Sequence, residues 1–265
     1  MSDENKIRDA ADAVKGIVEA VPVYQDVVQP AAKELGNALQ TVARSIHIAL
    51  APVSMLVWGY DQIRDYLNKS LSEKLKDVPT ERIIAPNPTI AGPTVEALRF
   101  AAHDTSLREL YSNLLATAMD AETAQKAHPA FVDVIRHLAP DEARIVQLLA
   151  SGHIYPLMTL SATFAGSPKM AIYKQHVSLI AEDAGCENPD LILSYLDNLR
   201  RLGLVDIHSG SLFQLDSTLK IMQDLENHEK IREFIEMYKD SNLEVIRESI
   251  VLSSLGRQFC DACVT

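Results

Sequence analysis

The stretch NPDLILSYLDNLRRLGLVDI, Asn188 to Ile207, decides how the C-terminal half is read. Asn188 is a candidate helix cap, and Pro189 and Asp190 suit a first turn. Gly203 follows the last periodic leucine, where a left-handed cap ends a helix. Leu204–Ile207 then reads as a strand. Leu191, Tyr195, Leu199 and Leu202 are expected to face inward, leaving Asp190, Ser194, Asp197, Asn198 and Arg201 outward.

Working outward, a helix over Asp141–Ala150 precedes the strand-like run IYPLMTL, and a helix is predicted over Ala171–Ala184. After the turn HSGS, a charged helix is expected from about Ser217 to Tyr238. SIVLSSLGRQFCDACV then reads as a strand running into a final helix. This order is that of a winged helix-turn-helix with an extra helix inserted in the wing.

Upstream the grammar is helical. From about Ile7 to Asp77, apolar residues recur at three-to-four spacing between prolines. The crossing APNPTIAGPTVEAL, Ala85–Leu98, holds Pro86, Pro88 and Pro93. These should keep Ala85, Asn87 and Gly92 extended or turned, with Pro93 opening the next helix. Asp104, in HDTS, is a candidate cap for a helix carrying Leu107, Leu110, Tyr111, Leu114 and Leu115. Pro140, Asp141 and Glu142 suit another first turn. The expected fold is mainly α: an N-terminal helical region (1–85), a central helical bundle (86–138) and a winged-helix-like domain of minor β content (139–265). With 6% aromatic residues and 10 glycines in 265, composition favours helix as well.

A formal charge of −11 repels phosphate backbones, so nucleic acid is the weaker partner class. Residues 187–265 hold eight Lys/Arg against fourteen Asp/Glu, a net of −6. If the winged helix does read DNA, Asn198, Arg200 and Arg201 are the candidate contacts. Three cysteines make no disulfide framework and fit a reducing cytosol. The charged N-terminus lacks an apolar core, so no secretory signal is expected. Cytoplasmic placement follows as an expectation, with peripheral membrane contact as an option.

Five strings, in order, carry a resemblance: IIAPNPTIAGPTVEAL, LRELYSNLLATAMD, HPAFVDVIRHLAPDEARIVQLL, LDNLRRLGLV and LSSLGRQFCDAC. Together they resemble the bacterial abortive-infection alpha (Abi-alpha) family, from about Trp58 to the C-terminus. The resemblance implies a role in defence against phage, in which infected cells stop growing or die. It brings no catalytic residue set.

Ser45–Tyr60 runs sixteen residues without a formal charge but contains His47 and Pro52. A spanning helix needs about 20 apolar residues. The run reads as a buried hairpin or core helix, or as a membrane-active segment through Ile46, Ile48, Leu50, Val53, Met55, Leu56, Val57 and Trp58. Arg44–Lys76 holds five basic and three acidic residues, a local positive balance that favours the membrane option weakly. Cys260 and Cys263 form half of a zinc site and suit the core better as small apolar groups. His103, Asp104, Glu109, His128 and His137 match no compact metal motif. Phosphate-loop, dinucleotide, nucleophile-elbow and zincin motifs are absent. The expectation is a non-enzymatic protein without cofactor or metal, acting through a protein partner, with self-association an option. The alternative is a winged-helix transcriptional regulator.

Overall fold

The computed structural model describes residues 59–152, 154–163, 170–210, 216–237 and 243–264. Readings made on residues before Gly59, the apolar run Ile46–Trp58 included, lie outside them. The fold is mainly helical with a small four-stranded antiparallel sheet.

Helix α1 spans Tyr60–Lys74, α2 Pro88–Ala101 and α3 Thr105–Met119. α4 covers Ala130–Arg136 and α5 Pro140–Leu149. α3 is the central member, packing against α1, α2, α4 and α5. It therefore buries Leu107, Leu110, Tyr111, Ser112, Leu114, Leu115 and Ala118, more than one face. Asp104 caps it as expected, accepting from the Leu107 N–H at 2.9 Å. α1 is pinned to α3 by Tyr66, whose hydroxyl lies 3.2 Å from the Arg108 carbonyl oxygen, and by Lys74 Nζ, 2.9 Å from Glu109 Oε2.

The segment just before the proline crossing is clamped to the end of α3. Arg82 meets buried Asp120 with two parallel bonds, Nε to Oδ1 at 2.9 Å and Nη2 to Oδ2 at 2.5 Å. Ile84 N–H donates to the Met119 carbonyl, and Ala121 N–H to that of Arg82. Helix then begins earlier than expected. Asn87 is the cap, accepting from Thr89 N–H at 3.0 Å, and Pro88 rather than Pro93 takes the first position. Gly92 is helical. Having no Cβ, it escapes part of the clash by which a proline drives its predecessor out of helix.

The sheet comprises β1 (Tyr155–Thr163), β2 (Met170–Val177), β3 (Val205–Ser209) and β4 (Leu243–Leu252), in the order β2-β1-β4-β3. β2 corrects the helix predicted over 171–184. Its backbone pairs with β1 from Thr163↔Met170 to Met158↔Val177, and the only helix remaining is the short α6, Ile180–Asp183. An available strand edge outweighed local propensity. Helix α7, Ile192–Arg201, ends at Gly203 (φ 72°), where the Leu204 N–H reaches back to the Leu199 carbonyl at 3.0 Å. The charged segment after β3 is two helices, α8 (Asp216–Asn227) and α9 (Glu229–Met237), broken at His228. The final helix, α10, is Ser254–Cys263.

Alternation along β1 divides the core. Leu157 joins a large cluster running from Ile63 on α1 to Cys263 on α10, while Met158 joins a smaller one with Met222, Leu225 and Ile231 of α8 and α9. α10 approaches β3 so closely that Gly256 has no room for a Cβ, which would overlap the Leu204 carbonyl oxygen.

Candidate functional site

α7 is held by two neighbouring carboxylates in the first turn of α5. Asp141 is 4% exposed and accepts four hydrogen bonds. Its Oδ1 takes Arg144 Nη1 at 2.5 Å and Glu187 N–H at 2.9 Å; its Oδ2 takes Asn188 N–H and the Tyr195 hydroxyl, each at 2.9 Å. Burial alone would raise its pKa, but these four donors hold it below the ordinary carboxylate value. Burial, and after it the same carboxylate, push Tyr195 up to about 12. Glu142, next along, is shifted the other way. Burial raises it, and Ala139 N–H at 2.8 Å and Asn198 Nδ2 at 2.7 Å, both on Oε2, compensate only in part.

This anchoring sets which face of α7 is presented. Tyr195, Leu196 and Leu199 are buried, and Ser194, Asp197, Arg200 and Arg201 are exposed. Leu191 corrects the inward assignment: it is 51% exposed, and Leu196 fills the core in its place. Leu193 is 39% exposed and lines a groove of about 210 Å³ with Val177, Leu179 and Ile231. The outer start of α7 is thus an apolar patch bordered by Asp190.

The three candidate DNA contacts are placed unevenly. Asn198 spends its amide N–H groups on the His137 carbonyl and Glu142. Its oxygen accepts from Arg201 Nε at 3.0 Å and Nη2 at 2.6 Å. Arg201 is therefore turned back onto its own helix, and Arg200 alone of the three extends from the outer face without such a bond to Asn198.

A second polar cluster lies in the sheet, and no sequence motif marked it. Buried Glu248 on β4 accepts from Thr159 Oγ1 at 2.7 Å and from His176 Nδ1 at 3.0 Å through Oε2, and from Ser209 Oγ at 3.4 Å through Oε1. Burial raises Glu248, but His176 and Thr159 more than offset this and hold it low. His176 has φ 52°, a left-handed conformation at the irregular end of the β1–β2 pairing.

The other sequence-stated clusters come apart. His128 Nδ1 accepts from Ala130 N–H, His137 Nδ1 bonds the Asp133 carbonyl, Glu109 pairs with Lys74, and Asp104 is a cap. Among the described residues no group of three or more His, Cys, Asp or Glu is arranged to hold a metal ion. Cys260 and Cys263 pack into the core, where burial pushes Cys260 up to about 12 and Cys263 well above the usual thiol value. Among the described residues no helix is long and apolar enough to cross a membrane.

A model of the family described as abortive infection alpha matches residues 59–263, most of the chain. The chain belongs to the abortive infection alpha family. No curated protein matches it. A solved structure of an uncharacterized protein from the hydrocarbon-degrading marine bacterium Alcanivorax borkumensis SK2 is similar at 27% identity, over 52% of this chain and 96% of that one, with a TM-score of 0.34. The matched family span contains the Asp141 hub, the α7 patch and the Glu248 cluster of this abortive infection alpha protein.

Proposed function

We propose that this abortive infection alpha protein defends bacteria against phage non-enzymatically, through protein contacts made by the outer face of α7. Family membership supports the setting. The observation that carries the contact mode is the composition of that face. Leu191 and Leu193 are exposed beside Asp190 and Asp197, and Arg201 is folded back onto Asn198. Apolar side chains rimmed by polar ones mark protein-contact surfaces, whereas a DNA reader brings cations to phosphates.

In this reading α5, α6 and α7 with the strand order β1-β4-β3 form a winged-helix-like unit, β2 is an added edge strand, and α8 and α9 are an insertion before β4. The uncharged run Ser45–Tyr60 is assigned as the segment that would meet a membrane. Phage plating on cells with and without the gene tests the role. Protection of at least tenfold is expected, and equal plating would reject it. The contact mode is checked by retention on DNA at low salt. No salt-sensitive binding is expected, and binding lost on Arg200→Ala with Arg201→Ala would support the transcriptional-regulator reading instead. Flotation of the full-length protein with anionic vesicles tests the membrane assignment, which fails if the protein stays with the soluble fraction.

A further inference from the structure

Away from α7, a cavity of about 480 Å³ opens between α2, α3, α4 and the start of α5. Its volume falls within the roughly 300–1,000 Å³ typical of small-molecule sites. The walls are apolar: Ala97 and Phe100 from α2, Leu107 from α3 and Ile135 from α4. Phe100 is 58% exposed, with the Arg99 guanidinium carbon 5.9 Å from its ring centroid.

Tyr111 makes this more than a surface hollow. The residue is 1% exposed, borders the cavity, and among the described residues no group hydrogen-bonds its hydroxyl. A tyrosine hydroxyl beside a cavity can be satisfied by water or by an acceptor on a ligand that displaces it. Burial pushes Tyr111 up to about 12, against a smaller opposing effect of Arg136, so the phenol keeps its proton at neutral pH and is available as a donor.

The rim carries charges of both signs. Arg136 lies 3.4 Å from Asp133, Asp104 is engaged in capping α3, and Glu96 and His103 complete the edge. A formal charge on the ligand would therefore meet groups of both signs.

We propose that this cavity binds a small uncharged molecule with an apolar, ring-sized body and one hydrogen-bond acceptor, which receives the Tyr111 hydroxyl proton in a hydrogen bond. The site is independent of the α7 surface, and its test does not depend on phage defence.

The probes are propiophenone and propylbenzene, alike in shape but differing in the carbonyl oxygen. Each is titrated into the full-length protein by calorimetry. Saturable one-to-one binding is expected for both, with the ketone tighter by about twofold to tenfold, the worth of one neutral hydrogen bond. Tyr111→Phe should erase that preference while leaving the melting temperature of the free protein unchanged or higher, because no internal bond is lost. Phe100→Ala, at an exposed position, should weaken both probes alike. No saturable binding up to the solubility limit overturns the proposal. So does a ketone preference that survives Tyr111→Phe, or a Tyr111→Phe protein that melts lower or fails to fold, since either change in stability would show that the hydroxyl has a structural partner.

Discussion

Asp141→Asn is the sharpest test of how α7 is held. The carboxylate receives two donors on each oxygen at 2.5–2.9 Å. An amide keeps one acceptor oxygen and turns an NH2 toward the other pair, so two buried donors lose their acceptor whichever way it is placed. Each unsatisfied buried donor costs about 1–3 kcal/mol. Arg144 retains Glu187 at 2.7 Å, which softens one loss. The expected destabilisation is about 3 kcal/mol at pH 7, a large share of a typical 5–15 kcal/mol.

Urea unfolding followed by circular dichroism measures it, provided the denaturant slope is unchanged. The pH dependence adds a second constraint. Asp141 titrates lower in the folded protein than the ordinary 3.8, so its stabilisation is present above that value and is lost as pH falls through the folded one. The gap between wild type and variant should therefore close in acid below about pH 4. A change under about 0.5 kcal/mol at pH 7, within the range of ordinary surface substitutions, would refute the hub. A gap that persists undiminished to pH 2 would refute the electrostatic part.

Glu142→Gln should shift stability by less than about 1 kcal/mol in the same assay, because both its bonds fall on one oxygen that an amide can supply and burial already disfavours its charge. Gly256→Ala should cost about 3 kcal/mol or more and lower the melting temperature, since the new Cβ meets the Leu204 backbone carbonyl rather than a movable side chain. His176→Gly should be more stable than His176→Ala by about 1 kcal/mol in urea, because both lose the Glu248 bond and only glycine relieves the left-handed φ. Pro93→Ala should stabilise by about 1 kcal/mol or more, read as a higher melting temperature, by restoring a donor inside α2.

Features set by near neighbours in the chain were legible without coordinates. The Asp104 cap, the Pro140 start of α5 and the Gly203 stop all depend on residues within a turn of each other. The misreadings fall where distant partners decide. MAIYKQHV carries Lys174, Gln175 and His176 in a pattern compatible with helix, and becomes β2 only because β1 offers an edge. From sequence, Asp141 and Glu142 are first-turn charges that complement a helix dipole. Their larger role comes from Glu187, Asn188, Tyr195 and Asn198, more than forty residues downstream. Helical spacing places Leu191 inward, but it sits in a 3-10 turn before α7, where that phase does not apply. Helical periodicity places Tyr111 in the core, and nothing in it shows that the residue borders a cavity.

Plating efficiency of phage on cells expressing matched pairs of α7 variants tests the central claim most directly. Leu191→Glu with Leu193→Glu should abolish protection while the purified protein keeps its wild-type circular dichroism, and Arg200→Ala with Arg201→Ala should leave protection intact. Undiminished protection by the leucine pair, or its loss in the arginine pair alone, would contradict an apolar protein contact at this face.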